Sequence, residues 1–596
     1  MKTCAGKTLR KQESVPVNKN QKNTVIYAAV LFLLSAVRIW LACHTNYAAV
    51  PTGPYDEELQ VRLGLSLAAG KWLGAYNQYT LIKGIVYPMF LALCAKTGLT
   101  YGLGLGLLMV LSALVFQAML GLVTENRILR GCCFAWVLYS PVAMTSWSGL
   151  RIYRDVLGPW LMLLLVSCLA AVWFLRTQSF RKYAPWAAGL AVSFMLFYNL
   201  REDGIWILPL VCVGLLLSVC GRVLAFREQG AGEEKGRQGG KSSNVGNLLR
   251  HMLPFLLCCL LPFAANACWK SVVSQKNLEH YGIALSNDRV KGNFDRVMSL
   301  ISSVEDPEAD EVHWVTDRML RECVDASPTL KRMESEIEAR RWVTAAGQGA
   351  EQVLGDYMQW VLRNALADAG FYRDARKTEG VLGQIASELE AAYADGRLKK
   401  DGRIHLSSQG RGLKPGELLA DAGKTLGKLP GLAAFGGCTG YYPYYTDCRG
   451  ELLNQYQVLL GIDLGKETVD SGPYRTAAAA ASALTGFCRV FGAILACLCL
   501  AAVTAGTAAA LTGKRTAGET AAAGKAGRFP LPCPEILPLV WGLLLSAFLL
   551  AYMVTLFTEF LGEWYFYNYT SAFYALLPAA ECLTAAGMAK TAADKG

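Results

Sequence analysis

Long runs of apolar residues constrain this chain more than any other feature of its sequence. The first run, at 24–43, follows a Lys-rich head at 1–23 and has the length of about 20 residues that crossing a bilayer requires. Of the 596 residues, 53% are hydrophobic and 18% are charged, whereas soluble domains are roughly a quarter charged. The runs therefore predict an all-α polytopic membrane protein.

Ten runs are candidate transmembrane helices, and we expect a bundle of about ten spans. They lie at 24–43, 102–123, 131–148, 156–175, 185–200, 205–225, 252–269, 490–511, 534–557 and 571–588. A shorter apolar stretch at 84–96 contains Pro88 and is predicted to lie in the interface or to be re-entrant.

The basic loops between the spans set the expected orientation. If 84–96 does not cross, these loops all fall on the side of the N-terminal head, as the positive-inside rule requires. The net charge of +11 then reflects membrane orientation and contact with the lipid bilayer, and it does not indicate nucleic-acid binding. The first outer loop, at 44–101, would face away from the cytoplasm.

A long polar insertion at 270–489 separates the seventh span from the eighth. The predicted parts are the head (1–23), a transmembrane core (24–269), an extracytoplasmic domain (270–489) and C-terminal spans (490–596) with a cytoplasmic loop at 512–530. Apolar residues at three- and four-residue spacing predict that the insertion is mainly helical. Its stretch at 403–424 has the composition of a loop.

Cysteine and histidine give little sign of metal chemistry. Most of the 19 cysteines lie within apolar runs, where Cys behaves as a small buried hydrophobe. Cys438 and Cys448, in a predicted outer loop, are instead candidates for a disulfide. The 5 histidines are scattered, so we predict no dedicated metal site and no certain cofactor, although outer carboxylates could bind a divalent cation.

Charged residues gather at span ends that are predicted to face outward. The groups are Tyr55–Asp56–Glu57–Glu58, Lys83, Arg151 with Arg154 and Asp155, and Arg201 with Glu202 and Asp203. Each group has an ordinary explanation, such as a helix start, a snorkelling lysine or a salt bridge. Together they predict one pocket with a carboxylate base and with cations that bind a phosphate.

The order of these segments resembles the GT-C membrane glycosyltransferases, in particular the protein mannosyltransferase and aminoarabinose transferase branch. The similarity covers about residues 24–225 and includes "LAAGKWLGAYNQYTLIKGIVYPMFLAL" and "SPVAMTSWSGLRIYRDVLGPWLMLLL". It implies that Asp56, with Glu57, is the catalytic base and that Lys83 binds the donor phosphate. The chain departs from the family pattern because it lacks a double proline after the lysine and carries its large polar domain within the bundle.

The resemblance implies a hexosyltransferase that moves a sugar from a polyprenyl-phosphate carrier to a glycan, lipid or protein acceptor. The expected location is the outer face of a bacterial cytoplasmic membrane, in cell-envelope synthesis. The phosphate would be bound by Lys83, Arg151, Arg154 and Arg201, and the cavity lined by Tyr55, Glu58, Asp155, Glu202 and Asp203.

Two other classes of function stay open, a transporter or flippase of envelope precursors and a non-catalytic assembly scaffold. Ionisable residues are scarce within the predicted spans and no repeat is evident, which disfavours the transporter.

Overall fold

Helices make up nearly all of the regular structure in the part of the chain that is described. The computed structural model describes residues 19–50, 55–234, 244–440, 443–512, 530–558 and 561–594. Within these ranges the strands form one antiparallel hairpin, in which β1 (Ile404–His405) pairs with β2 (Gly412–Leu413). The chain is all-α, as predicted. Residues 1–18 of the head and 513–529 of the predicted cytoplasmic loop lie outside the described ranges.

Ten helices precede the folded part of the insertion. They are α1 (Lys19–Cys43), α2 (Glu57–Ala68), α3 (Val86–Thr97), α4 (Tyr101–Leu120), α5 (Arg127–Leu138), α6 (Trp147–Leu150), α7 (Gly158–Phe174), α8 (Phe180–Tyr198), α9 (Leu208–Glu234) and α10 (Asn244–Tyr281). Helix α3 has 12 residues, which is about 18 Å at the α-helical rise. Because the hydrocarbon core is about 30 Å thick, α3 is too short to cross it alone.

Thirteen helices follow in the insertion and the C-terminal part. They are α11 (Asn293–Ser302), α12 (Asp317–Ala326), α13 (Pro328–Lys331), α14 (Glu334–Gly347), α15 (Met358–Asp368), α16 (Ala375–Ala394), α17 (Pro415–Ala433), α18 (Gly450–Leu460), α19 (Lys466–Val469), α20 (Gly472–Leu511), α21 (Leu537–Thr558), α22 (Glu563–Tyr569) and α23 (Phe573–Ala593). Helix α17 begins within the stretch at 403–424 that the sequence predicts to be a loop. Pro415 occupies its first turn, where a missing N–H costs nothing, and Glu417 accepts from the Lys414 N–H at 3.1 Å.

Seven helices among the described residues are long and apolar enough to cross a membrane: α1, α4, α7, α9, α10, α20 and α21. The predicted span at 131–148 is not one continuous helix, because α5 ends at Leu138 and the chain then enters a short 3-10 turn at Pro141–Ala143. Proline cannot continue a helix without losing a hydrogen bond. The predicted spans at 185–200 and 571–588 fall in α8 and α23, which are not among the seven.

The buried apolar residues form two main cores. The larger core unites the long helices, through side chains such as Phe116, Leu161 and Leu543, and it also includes Tyr456 of α18. The second core consists of residues between 294 and 398. The insertion therefore has its own core only in that part, while α17, α18 and α20 pack against the helix bundle.

The predicted disulfide between Cys438 and Cys448 is not formed, since both are buried free thiols. The backbone of Cys438 pairs with Ser146 in an isolated antiparallel bridge, and its thiol lies near Cys488. Cys448 instead lies near Glu57. Each thiol packs against a different part of the bundle, so the loop between them does not close.

Candidate active site

Asp56 immediately precedes α2 and is contacted by residues from two distant segments of the chain. Lys83 Nζ donates to its Oδ1 at 2.8 Å, and the Tyr153 hydroxyl donates to the same oxygen at 3.2 Å. Lys83 Nζ also donates to the Tyr153 hydroxyl at 2.9 Å, while Arg151 Nη2 lies 3.5 Å from Asp56 Oδ2. The Asp56 side chain is 27% exposed and that of Lys83 is 4% exposed. Solvent therefore reaches the carboxylate but hardly reaches the ammonium group.

The charges in this cluster fix the protonation state of Asp56. Burial alone would raise its pKa, but Lys83 and Arg151 outweigh burial and hold the pKa well below its usual range. Burial lowers the pKa of Lys83, and Asp56 acts in the opposite direction. At neutral pH the Asp56 carboxylate is ionised and bound by cations. An anion that bound Lys83 in its place would free the carboxylate from this contact.

Glu57 and Glu58 have different environments from Asp56. Glu57 is fully buried, and Arg151 binds both of its oxygens, with Nη2 2.7 Å from Oε2. Arg151 is fixed in turn by a parallel backbone bridge to Ala48. Glu58 pairs with Arg62 one turn later at 3.4 Å. Glu57 thus holds Arg151 in place and is not open to a substrate as a base would be.

A second ion pair joins the segment before α7 to the turn between α8 and α9. Arg154 binds Glu202 through two contacts, Nη1–Oε1 and Nη2–Oε2, both 2.8 Å long. Burial alone would raise the pKa of Glu202, but Arg154 outweighs burial and lowers it. The backbone N–H of Gly84 also donates to Glu202 at 3.1 Å, and a Cβ on Gly84 would lie 2.3 Å from the Asn199 carbonyl oxygen. Only a glycine at position 84 lets the backbone lie this close to the Asn199 carbonyl. This close packing places Lys83 beside the Arg154–Glu202 pair.

Arg201 lies in an adjacent, narrow cleft. Its Nη1 donates to Asp155 at 2.6 Å, and its Nε and Nη2 donate to Asp203 at 3.0 and 3.1 Å. The guanidinium lies 4.6 Å from the centroid of the Tyr569 ring. The cleft is lined by Asp155, Gly158, Phe197, Leu200, Arg201, Asp203, Gly204, Trp206, Leu550, Tyr569, Ser571 and Ala572. One end of the cleft is charged and the rest is largely apolar.

The site residues named from the sequence thus occupy three neighbouring places. The Asp56 cluster contains Asp56, Glu57, Lys83 and Arg151, the second pair is Arg154–Glu202, and the cleft contains Asp155, Arg201 and Asp203. Tyr569 connects the first and third places, since it is close enough to Asp56 and to Arg201 for their charges to affect its pKa. Tyr55 stacks on Trp360 of the insertion, with ring centroids 4.0 Å apart.

Sequence reasoning missed Tyr153 and three residues of the insertion, Arg289, Asp356 and Trp360. Tyr153 lies between Arg151 and Arg154, so the same motif could have revealed it. The insertion residues have no local signal, because they approach the site only through folding over more than two hundred positions.

The carboxylates of the site do not make a divalent-cation site. Asp56 and Glu202 are each bound by lysine or arginine side chains, whereas Mg²⁺ and Ca²⁺ need several oxygen ligands around one point. Among the described residues, no group of three or more His, Cys, Asp and Glu side chains is placed to hold a metal ion.

Comparison with known proteins adds little to this geometry. No family model matches the chain, and no curated protein matches it. The chain is similar to ArnT from Cupriavidus metallidurans, in a crystal structure bound to undecaprenyl phosphate and in one of the apo state, with 14% identity to each. The first alignment covers 87% of this chain and 84% of that chain, and the second covers 95% and 78%. With a TM-score of 0.27 for both, the likeness carries no conclusion about what the protein does.

Proposed function

We propose that the protein is a membrane glycosyltransferase that moves a sugar from a polyprenyl-phosphate carrier to an acceptor. The observation that carries this proposal is the contact of Asp56 with Lys83, Tyr153 and Arg151. A carboxylate and several cations meet there beside apolar helices, which is what transfer from a lipid phosphate requires. The motifs that resemble the GT-C glycosyltransferases contain Lys83, Arg151 and Tyr153, and the resemblance implies that Asp56 is the base.

Lys83 would bind the donor phosphate as a compact cation. Two of its three ammonium protons are directed to Asp56 and Tyr153, and a phosphate oxygen that took the place of Asp56 would accept the proton now donated to that carboxylate. Arg151, Arg154 and Arg201 would add positive charge around it. Binding of the donor's phosphodiester, which carries one negative charge, competes with Asp56 for the lysine.

This competition would link donor binding to the activation of the base. When the phosphate takes Lys83, Asp56 loses its closest cation and its pKa rises toward the usual value. The acceptor hydroxyl then attacks the anomeric carbon of the donor while the bond from that carbon to the phosphate oxygen breaks. The hydroxyl proton passes to Asp56, and the polyprenyl phosphate leaves with the bonding electrons, stabilised by Lys83 and the arginines.

We further propose that the site faces the outside of a bacterial cytoplasmic membrane. The basic loops between spans favour the cytoplasmic side, at about 1 kcal/mol for each Lys or Arg near an anionic surface. Cysteine-accessibility mapping tests this orientation, and we expect positions 56 and 154 to be labelled from the same, outer side. Labelling of position 154 from the cytoplasm and of position 56 from outside would contradict it.

The activity is tested with the full-length protein in detergent and radiolabelled polyprenyl-phosphate sugars as donors. We expect slow hydrolysis of the donor to free sugar and polyprenyl phosphate, and we expect Lys83→Met to abolish it. Lys96→Met, which removes an exposed lysine near the end of α3, serves as the matched control. A transporter or a scaffold would leave every donor intact.

A further inference from the structure

Asp356 is a carboxylate of the insertion that lies beside the proposed site. It lies in the short 3-10 turn Gly355–Tyr357 that leads into α15, and its Oδ2 accepts from Arg289 Nη2 at 3.4 Å and from Gln359 Nε2 at 2.9 Å. Its side chain is 33% exposed. The charges of Lys83 and Asp56 both act on its pKa, so Asp356 is close to the Asp56 cluster.

The position of Asp356 is fixed by buried contacts between the insertion and the segment before α3. Arg289 Nη1 lies 4.0 Å from Glu202 Oε2, so this arginine touches both carboxylates. The N–H of Asp288 donates to the Leu81 carbonyl at 3.1 Å, and Asp288 binds the fully buried Arg363 at 2.6 and 2.8 Å. These contacts hold residues 288 and 289 against the loop that carries Lys83.

Aromatic residues neighbour Asp56 and Asp356 in the chain, since Tyr55 precedes the first and Tyr357 follows the second. Tyr55 stacks on Trp360 with an angle of 12° between the rings. Tyr357 follows Asp356 in the chain, and the charges of Tyr55, Tyr565 and Asp356 all affect its pKa. Aromatic rings pack against the C–H faces of sugars, and carboxylates accept hydrogen bonds from sugar hydroxyls. This combination is therefore suited to binding a carbohydrate.

The two aspartates differ in how strongly cations hold them. Lys83 and Tyr153 bond Asp56 Oδ1 and Arg151 approaches Oδ2, whereas the nearest cation to Asp356 is Arg289 at 3.4 Å. Burial raises the pKa of Asp356, and Arg289 only partly opposes this. Asp356 is thus the carboxylate with more capacity to accept a hydrogen bond from a neutral hydroxyl.

We propose that Asp356 is an acceptor-binding residue, whose carboxylate accepts a hydrogen bond from a hydroxyl of a carbohydrate acceptor packed against the neighbouring aromatic side chains. This inference rests on the proposed glycosyltransferase function and names its acceptor class. The insertion then supplies the acceptor half of the site, and the segments carrying Lys83 and Arg201 supply the donor half.

Saturation-transfer NMR tests sugar binding without any donor. The full-length protein in detergent is mixed with methyl glucoside, methyl mannoside and methyl galactoside in turn. We expect saturation transfer to the ring protons of at least one glycoside, and Asp356→Asn should weaken binding about tenfold, the scale of one charge-assisted hydrogen bond. The control Glu322→Gln removes a carboxylate of the same insertion that is 40% exposed, and it should leave binding unchanged.

Donor hydrolysis by the same variants separates the possible outcomes. Asp356→Asn should weaken glycoside binding by a larger factor than it lowers donor hydrolysis, in which water replaces the acceptor, and Glu322→Gln should change neither. Equal loss of sugar binding and hydrolysis would assign Asp356 to the donor half or to folding, and it would overturn the proposal. Unchanged sugar binding in Asp356→Asn, or no binding of any glycoside by the natural protein, would overturn it as well. Sugar binding without any donor turnover would contradict the proposed function and leave the carbohydrate site standing.

Discussion

Ion pairs near the proposed site and ion pairs on the surface of the insertion look alike in geometry and differ in surroundings. The side chains of Arg154 and Glu202 are 5% and 13% exposed, whereas those of Arg296 and Glu390 are 44% and 45% exposed. An exposed pair contributes about 0–1 kcal/mol to stability. A buried pair gains little on balance, because removing both charges from water offsets their attraction. Stability alone therefore does not explain the buried charges at the site, and this agrees with the proposed binding of a charged donor.

The same contrast holds for the lysines. Lys83 is 4% exposed and contacts Asp56, whereas Lys331 is 50% exposed and pairs with two surface carboxylates. A lysine desolvated beside one carboxylate can exchange that partner for a phosphate. A hydrated lysine on a surface has no such preference.

The largest expected effect is on catalysis. Asp56→Asn removes the proposed base and should lower the rate of sugar transfer by about 10² to 10⁴, the usual scale for a positioned base. The measurement is turnover of the radiolabelled donor with acceptor present. Asp395→Asn, which changes a carboxylate that is 50% exposed, is the control. A loss of less than about threefold in a normally expressed Asp56→Asn protein would reject the assignment.

The second effect is on stability. Glu202→Gln leaves Arg154 buried without its counter-charge and should lower the free energy of unfolding by about 3–5 kcal/mol. Denaturant unfolding in detergent, followed by tryptophan fluorescence, measures the change. An effect below about 1 kcal/mol would mean that this pair behaves like a surface pair.

The third effect is the pH dependence of the difference in unfolding free energy between the natural protein and Glu202→Gln. The pKa of Glu202 is lowered by folding from its ordinary value of 4.5, so the unfolded chain binds a proton first as the pH falls. The stabilisation from ionised Glu202 is complete above about pH 4.5 and is lost progressively below it. The stability difference between the natural protein and Glu202→Gln should therefore be constant near neutral pH and should shrink in acid. A difference that grew as the pH fell would contradict the lowered pKa.

The smallest effect is expected on the surface of the insertion. Glu390→Gln breaks the exposed pair with Arg296 and should change the free energy of unfolding by less than about 1 kcal/mol. Thermal unfolding of this variant, measured beside Glu202→Gln under the same conditions, gives the direct contrast. Similar losses in both variants would remove the distinction between buried and exposed pairs.

The sequence predicted the fold wherever the signal was local. An apolar run of sufficient length specifies a membrane helix, and α1, α4, α7 and α21 lie where such runs predicted spans. The run at 131–148 predicted one continuous helix, and this was incorrect. Apolar residues continue through Pro141, but the helix ends before it. Helix α17 was missed, since its Pro and Gly residues are typical of loops as well as of helix starts and ends.

The candidate site was predictable only in part, because only some of its residues are placed by a local signal in the sequence. The groups at Asp56, Lys83 and Arg151 stand at span ends, so membrane geometry alone places them near one another. The ion pairs that these residues form depend on side-chain packing. Glu57, which was predicted to act with Asp56 as a base, instead binds Arg151 and holds it in place. Arg289 and Asp356 reach the site through the folding of the insertion, for which the sequence gives only helical periodicity.

The most direct test of the central claim is a structure of the protein with a polyprenyl phosphate bound. We expect a phosphate oxygen within hydrogen-bonding distance of Lys83 Nζ. We also expect the contact between Lys83 Nζ and Asp56 Oδ1, 2.8 Å without ligand, to be broken. A phosphate bound elsewhere, with the Lys83–Asp56 contact intact, would contradict the proposed donor site and the activation of Asp56 that depends on it.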